Sequence, residues 1–339
     1  MKALFLGSVV ERSGKSMVTL GLAKNYPRRV GYFKPFKEVV MSVEDRVVDQ
    51  DAYLMHEALG LPFGPEALSP FTYDVFEPVG MASILEEYRK LSAGADLMLV
   101  EGTRDITTGC MGSVSGMAIA QKVQADVVLV SSAQISALDK ICMLRSYMDQ
   151  YPLSFKGVVL NQVEDARMPR LLERRGIRVL GSIPPLRELK RFSVREVADA
   201  VGAEVLVGGA GMDDPVERVM VGAMTPETAL DQMRRVSRKA IITGGDRADI
   251  QMAALSTDTS CLVLTGGLYP ARSVVNRASE AGVPVLVTPL NTLEASEAVD
   301  HLIARIDPLD PGKIDLIAKV VRENVDLDAV YGEGGAFRA

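Results

Sequence analysis

The sequence predicts an α/β protein: a mostly parallel sheet flanked by helices, followed by a second, smaller α/β unit. Three observations carry that expectation. Short β-rich runs alternate with helical patterns along nearly all of the 339 residues, the pattern of successive βαβ units. Runs such as "LMLV" and "DVVLV" are apolar on consecutive residues, as strands are when helices cover both faces of their sheet. The chain also opens with an apolar run, a turn, and Gly14-Lys15-Ser16 where a helix begins. That arrangement aims free backbone N–H groups and the positive end of a helix dipole at an anion.

In chain order, the first unit is expected to have strands at Lys2–Gly7, Val30–Lys34, Asp96–Val100, Asp126–Ser131, Gly157–Asn161 and Arg178–Ile183. Helical spacing between them predicts Lys15–Lys24, Ala52–Leu59, Gly80–Leu91, Ser115–Val123, Leu138–Asp149 and Met168–Arg175. Pro35 stops the second strand from continuing as a regular ladder member. Pro62–Pro78 is rich in Pro, Phe and turn residues and reads as an excursion over the sheet. Near residue 190 the pattern changes. "FSVREVADAVGAEVLVGGAG" reads as a helix running into a strand and a glycine-rich turn, so a boundary is placed near Val205. Beyond it come strands at Val219–Ala223, Lys239–Thr243, Cys261–Thr265 and Pro284–Thr288, with helices Pro226–Val236, Ala248–Leu255 and Ala271–Glu280. Asp307–Gly312 closes this unit, a helix follows at Ile314–Val325, and the tail "YGEGGAFRA" is expected to be loose. The expected organisation is 1–204, 205–305, and a C-terminal helix and tail over 306–339.

Composition narrows the function. The chain is 47% apolar and 24% charged, with net charge −6 and no sustained run of Lys or Arg. Nucleic acid and membrane are therefore not expected partners, since both call for concentrated positive charge. Cys110, Cys142 and Cys261 lie far apart and pair in no metal-ligand spacing; reduced thiols in a cytoplasmic protein are expected. Two histidines, His56 and His301, leave little room for a His-based metal site or a Ser-His triad. The N-terminal apolar run is broken by Glu11 and Arg12, too early for a signal peptide, and no apolar stretch approaches a membrane span.

The residues with chemistry sit at predicted strand tips. Gly14 lets the backbone approach a phosphate, Lys15 can reach β- and γ-phosphates, and the Ser16 hydroxyl can bind Mg²⁺. The usual first glycine of such a loop is replaced by Val9. Glu101 ends the strand "LMLVE" and can hold Mg²⁺ directly or through water, or be a solvated carboxylate at a loop start. Lys34 could bind a γ-phosphate or an acidic substrate, or be a surface lysine. Asp51 is either a helix N-cap or a second Mg²⁺ carboxylate. Asn161 can read the two-sided edge of adenine or form a turn. In the second unit, Gly245-Asp246-Arg247 and Thr265-Gly266-Gly267 each follow a strand directly. They could bind an anion, or be tight turns with Asp246–Arg247 as an ion pair.

Taken together, Gly14-Lys15-Ser16, Lys34-Pro35, Asp49-Gln50-Asp51-Ala52, Glu101-Gly102, Asn161 and Gly181-Ser182-Ile183-Pro184 resemble dethiobiotin synthetase and the cobyrinic acid a,c-diamide synthase group of P-loop proteins. The resemblance spans about 185 residues and implies a P-loop NTPase-like fold, ATP and Mg²⁺ as cofactors, and a homodimer. It places Gly14, Lys15, Ser16 and Asn161 at the nucleotide, Ser16, Asp51 and Glu101 at the metal, and Lys15 and Lys34 in catalysis. The second unit resembles the DRTGG domain, and the order of the two units is that of the N-terminal region of long phosphotransacetylases. Acetyltransferase activity is not expected, since no such catalytic domain follows. Two departures bear on the reaction. Thr103-Arg104-Asp105 stands where dethiobiotin synthetases continue A-G-G, and Val9–Arg12 lacks their loop pattern. The expected function is ATP-dependent activation of a carboxylate, or alternatively a regulatory, metabolite-sensing protein.

Overall fold

The computed structural model describes residues 1–149, 153–186, 189, 192–222, 224–303 and 306–332. Ala223 and the tail from residue 333, both assigned from the sequence, lie outside the described residues. The chain forms two compact units, Met1–Pro185 together with the segment from Ile306, and Leu186–Arg305.

In the first unit six parallel strands lie in the order Val179–Ser182, Ser154–Asn161, Asp126–Ser132, Lys2–Ser8, Leu97–Glu101 and Val30–Phe33. Lys2–Ser8 is central, with Leu4 opposite Leu99 on one side and Asp126 on the other. Leu4, Phe5 and Leu6 are buried, as are Leu97 to Val100. Both faces of these strands are covered, which is why the apolar runs do not alternate. From the central strand the chain crosses to the edge strand Val30–Phe33, returns to Leu97–Glu101, then passes to the opposite side at Asp126–Ser132. That reversal opens a crevice at the C-terminal ends of the strands.

Two features between Lys34 and Leu97 depart from the sequence expectation. Val40–Val43 and Arg46–Asp49 form an antiparallel hairpin whose two-residue loop, Glu44-Asp45, is left-handed at both positions (φ 47° and 63°). This is a type I′ turn made without the Asn-Gly or Asp-Gly pair that would announce it. Pro62–Pro78 is more than an excursion. It holds a helical turn at Pro65–Leu68 and a short strand, Phe71–Thr72, that pairs with Phe36–Lys37. Leu68 is buried and its carbonyl accepts the Lys34 amide at 2.9 Å, closing the edge of the sheet above the second strand.

The C-terminal segment packs into the first unit. Asp310 caps the helix Pro311–Asn324 by accepting the Lys313 amide. This helix lies on Lys15–Asn25 so closely that a Cβ at Gly21 would come within 2.3 Å of Val321. Asn25 Nδ2 donates to the Ala318 carbonyl, and the buried Tyr331 hydroxyl donates to the Leu22 carbonyl at 2.6 Å. Burying a side chain of that size contributes about 2–3 kcal/mol.

The second unit is a five-stranded sheet ordered Glu204–Val207, Val285–Val287, Thr259–Thr265, Lys239–Gly244 and Arg218–Val221, parallel except for the first. Ala240, Ile242, Cys261, Val263 and Leu286 face one core, while Ile241, Leu262, Leu264 and Val285 face the other. The helix Val194–Ala200, closed by a Ser193–Glu196 capping box, buries Val194, Val197 and Ala198 in the first of these cores. The division of the chain therefore falls at Leu186, earlier than Val205: the apolar face of this helix finds its partner in the second sheet. Among the described residues no helix is long and apolar enough to cross a membrane.

Candidate functional site

Gly14 caps the helix Lys15–Asn25 in the left-handed region (φ 87°), and no side chain caps the first turn. A Cβ there would lie 2.1 Å from Asn161 Nδ2, so both backbone conformation and space require glycine. Asn161 donates to the Ser13 carbonyl at 3.0 Å, while its Oδ1 accepts the Gln162 amide. The side chain proposed for adenine thus braces the phosphate loop. Ser13 Oγ is buried and has no hydrogen-bond partner among the described residues, an orphaned polar atom of the kind a phosphate oxygen satisfies. Lys15 is buried; its Nζ donates to Ser8 Oγ at 3.1 Å and to the Arg104 carbonyl at 3.0 Å. Of the loop residues that differ from the dethiobiotin synthetase pattern, Val9 is buried and Glu11 and Arg12 are exposed.

Beside the loop lies a cluster of carboxyl groups. Ser16 Oγ donates to Glu101 Oε1 at 2.8 Å, and Tyr32 Oη donates to Glu101 Oε2 at 3.2 Å. Lys34 is 0% exposed. Its Nζ lies 3.1 Å from Asp49 Oδ2 and 3.4 Å from Glu38 Oε2, and it donates to Asp51 at 2.5 Å. The surface-lysine alternative is therefore excluded. Asp49, rather than Asp51, caps the following helix: its Oδ1 accepts the amides of Asp51 and Ala52, both at 3.0 Å. Its Oδ2 accepts the Glu38 amide at 2.8 Å. The hairpin ending at Asp49 brings these carboxylates back to Lys34.

Burial pushes Glu101 up to about 7, helped by Asp51 and opposed by Lys34, Lys15 and Ser16. Burial also raises Asp49, although Lys34 pulls the other way. For Asp51 the upward pull of burial is outweighed by Lys34, Ser16 and Lys15, so it ionises more readily than a free carboxyl group. Burial works to lower Lys34, but Asp51, Asp49, Glu101 and Glu38 hold it well above its ordinary value. Burial and the neighbouring Glu101 raise Tyr32. Four carboxyl groups surround Lys15 and Lys34, an excess of negative charge that suits a divalent cation.

The donor set fits Mg²⁺ in kind. Ser16, Asp51 and Glu101 offer hard oxygen atoms in one place. Among the described residues no three acidic, His or Cys side chains converge to hold a metal by themselves. A site sharing one or two carboxylates with phosphate oxygens is the arrangement Mg²⁺ favours.

Lys15, Ser16, Lys34, Asp51 and Glu101 thus converge, and Asn161 touches the same loop. Tyr32, Glu38 and Asp49 belong to the cluster and were missed. Glu38 stands four residues after Lys34, and Asp49 opens the Asp-x-Asp run; those were the available signals. The residues proposed for a second ligand site are arranged differently. Gly266 donates its amide to the Leu290 carbonyl (2.8 Å) and Gly267 to the Thr288 carbonyl (2.9 Å). The Thr265 hydroxyl contacts Thr292 and the Thr243 carbonyl. Arg247 pairs with Asp249 at 3.0 Å, not with Asp246. These turns tie strand ends together. A cavity of about 410 Å³, lined by Arg28, Leu59, Phe63 and Leu91, flanks the edge strand Val30–Phe33 and does not include the phosphate loop.

A central parallel sheet, a glycine-capped helix with its lysine and serine, and a carboxylate at the neighbouring strand tip define the P-loop nucleotide-binding class. Residues 2–193 match the AAA_26 family, described as an AAA domain, and the chain belongs to that family. Residues 196–302 match the DRTGG domain. The chain is 26% identical to a phosphate acetyltransferase of Synechocystis sp. over 96% of its length and 50% of that protein. It spans about half the length of the phosphate acetyltransferases it matches. It is 24% identical to an ATP-dependent dethiobiotin synthetase of Nitrosopumilus maritimus, over 58% of this chain and 95% of the relative. A ParA family ATPase from Chlorobium tepidum aligns with 56% of this chain and 86% of its own, at 15% identity and TM-score 0.38.

Proposed function

We propose that the first unit binds ATP with Mg²⁺ in the crevice above the central strand, and that the protein serves as a nucleotide-responsive regulatory component. In this reading Lys15 and the amides of the first helical turn hold the phosphates, while Ser16, Asp51 and Glu101 hold the metal. The cation neutralises phosphate charge. The observation that carries the regulatory reading is Lys34, fully buried against Asp49, Asp51 and Glu38. A lysine enclosed in this way is not free to receive an acceptor substrate, and Lys34 then organises the metal carboxylates.

A second reading, ATP-dependent activation of a carboxylate, is favoured by the similarity to dethiobiotin synthetase over 95% of that relative. It requires Lys34 to leave its cluster for the acceptor, while Lys15 stabilises charge on the migrating phosphoryl group. Calorimetry with ATP and Mg²⁺ on the wild type and on Lys15→Ala, together with turnover assays, separates the two. The regulatory reading expects Mg²⁺-dependent binding, lost in Lys15→Ala, with negligible turnover. Turnover stimulated by an added carboxylate supports the second reading, and absence of ATP binding defeats both. A homodimer is part of the proposal, and sedimentation equilibrium checks it. Acetyltransferase activity is not proposed for these residues.

A further inference from the structure

We propose that residues 103–114 form a built-in restraint on the phosphate loop. The Arg104 peptide takes the lysine contact that nucleotide phosphates would use, and nucleotide binding releases it. This rests on the ATP reading above and names how the site is regulated.

The Arg104 peptide is gripped on both sides. Its carbonyl accepts from Lys15 Nζ at 3.0 Å and from Ser8 Oγ at 2.6 Å, and its amide donates to Glu38 Oε1 at 2.9 Å. Lys15 is the group that reaches the β- and γ-phosphates in loops of this kind, so phosphate and the Arg104 carbonyl compete for one ammonium. Arg104 has φ 21°, a region non-glycine residues seldom occupy, and such strain persists only where surrounding contacts impose it. Here those contacts are the three hydrogen bonds. The Arg104 side chain adds little, being 64% exposed with Glu11 3.9 Å away.

The rest of the segment is built to move about a fixed root. The Ile106 amide donates to the Ser8 carbonyl at 2.7 Å, and Ile106 is buried. Asp105 braces the next turn by accepting the amides of Thr107 and Thr108. Met111, at the tip, is 85% exposed. Once a phosphate takes Lys15, the Arg104 carbonyl keeps only Ser8, and two of the three bonds that hold the strained Arg104 backbone remain, from Ser8 and to Glu38. Glu38 also contacts Lys34 at 3.4 Å, so release reaches the Lys34 cluster. By linkage, whatever strengthens the grip on Arg104 weakens nucleotide affinity to the same degree.

The experiment is hydrogen–deuterium exchange on the full chain with and without ATP and Mg²⁺, alongside calorimetry. Amides of 103–114 are expected to exchange faster when nucleotide is bound. Glu38→Ala is expected to speed their exchange without nucleotide and to tighten ATP binding roughly 3–10-fold, the scale of one lost competing hydrogen bond. Ser8→Ala, which loosens the same carbonyl from the other side, is expected to act in the same direction and serves if thermal melting shows that Glu38→Ala does not fold. If ATP binds while exchange over 103–114 stays unchanged or slows, the restraint is refuted and the nucleotide reading stands. If the wild type does not bind ATP, the nucleotide reading falls and the restraint falls with it.

Discussion

Gly14 lies between a central strand and a helix, and Gly266-Gly267 follow Thr259–Thr265 in the second unit. Both are left-handed glycine turns at the C-terminal end of a buried parallel strand. In the first unit the turn opens an eleven-residue helix with no side-chain cap, beside a buried lysine and a serine hydroxyl that has no partner among the described residues. In the second, both glycine amides donate to carbonyls of residues 288–290, and Arg247, after the other glycine turn, is half-buried and locally paired. A glycine after a strand is therefore an opportunity for anion binding, and it is realised only where the sheet leaves the amides without strand-end partners.

Lys34→Ala tests the contrast most severely. Removing the fully buried ammonium that pairs with Asp49 and Asp51 is expected to destabilise the first unit by about 3–5 kcal/mol, measured by denaturant unfolding. Arg247→Ala, its counterpart in the second unit, should leave the midpoint nearly unchanged. An equal effect at both positions would erase the distinction.

Gly14→Ala and Gly267→Ala separate strain from crowding. Both have positive φ, at 87° and 66°. A Cβ at Gly14 meets Asn161 at 2.1 Å, whereas at Gly267 the nearest atom is 4.0 Å away. Gly14→Ala should cost about 2–4 kcal/mol and abolish ATP binding, and Gly267→Ala about 1–2 kcal/mol with binding retained. Unfolding and calorimetry on the same samples give both readings.

The pH dependence follows from Glu101, which ionises at about 7. Mg²⁺ requires the carboxylate, so apparent Mg²⁺ affinity in the presence of ATP should rise roughly fivefold from pH 6 to 7, about twofold more by pH 8, and level off above. Glu101→Gln should remove the part of the slope that ATP's own titration does not explain. Without ligand the sign reverses. A carboxyl whose pKa is raised on folding is most favourable to the fold below its ordinary value of 4.5, and stability erodes as pH rises through about 7. The smallest expected effect is Tyr32→Phe, which removes one donor to Glu101 and should cost about 1 kcal/mol. It should weaken Mg²⁺-dependent ATP binding more than metal-free binding.

Much of the first unit was legible because its signals are local. Consecutive apolar residues at Leu4–Leu6, Leu97–Val100 and Val127–Val130 mark strands covered on both faces. Strand tips then locate Lys15, Ser16, Lys34, Asp51 and Glu101. The hairpin at residues 40–49 was not legible, because Glu44-Asp45 is an uncommon pair for its turn, and with it went Asp49. Arg104 was singled out as a departure from the family pattern. Its contribution, however, is a peptide carbonyl and amide, groups every non-proline residue carries and no sequence can mark. The sequence places a boundary near Val205 and the compact units divide at Leu186; the amphipathic helix Val194–Ala200 carries no sign of which sheet it will cover.

The sequence by itself determined the alternation of strands and helices, the glycine-lysine-serine helix start, and the residue types at the strand tips, since each depends on neighbours within a few positions. Tertiary structure alone decided which polar groups are already engaged. Asn161 braces a loop 148 positions earlier in the chain, Lys15 meets a carbonyl 89 positions away, and Gly266 gives its amide to Leu290. A hydrogen-bond donor is ready for a ligand only if no distant acceptor has reached it first, and that depends on how the strands are ordered in space.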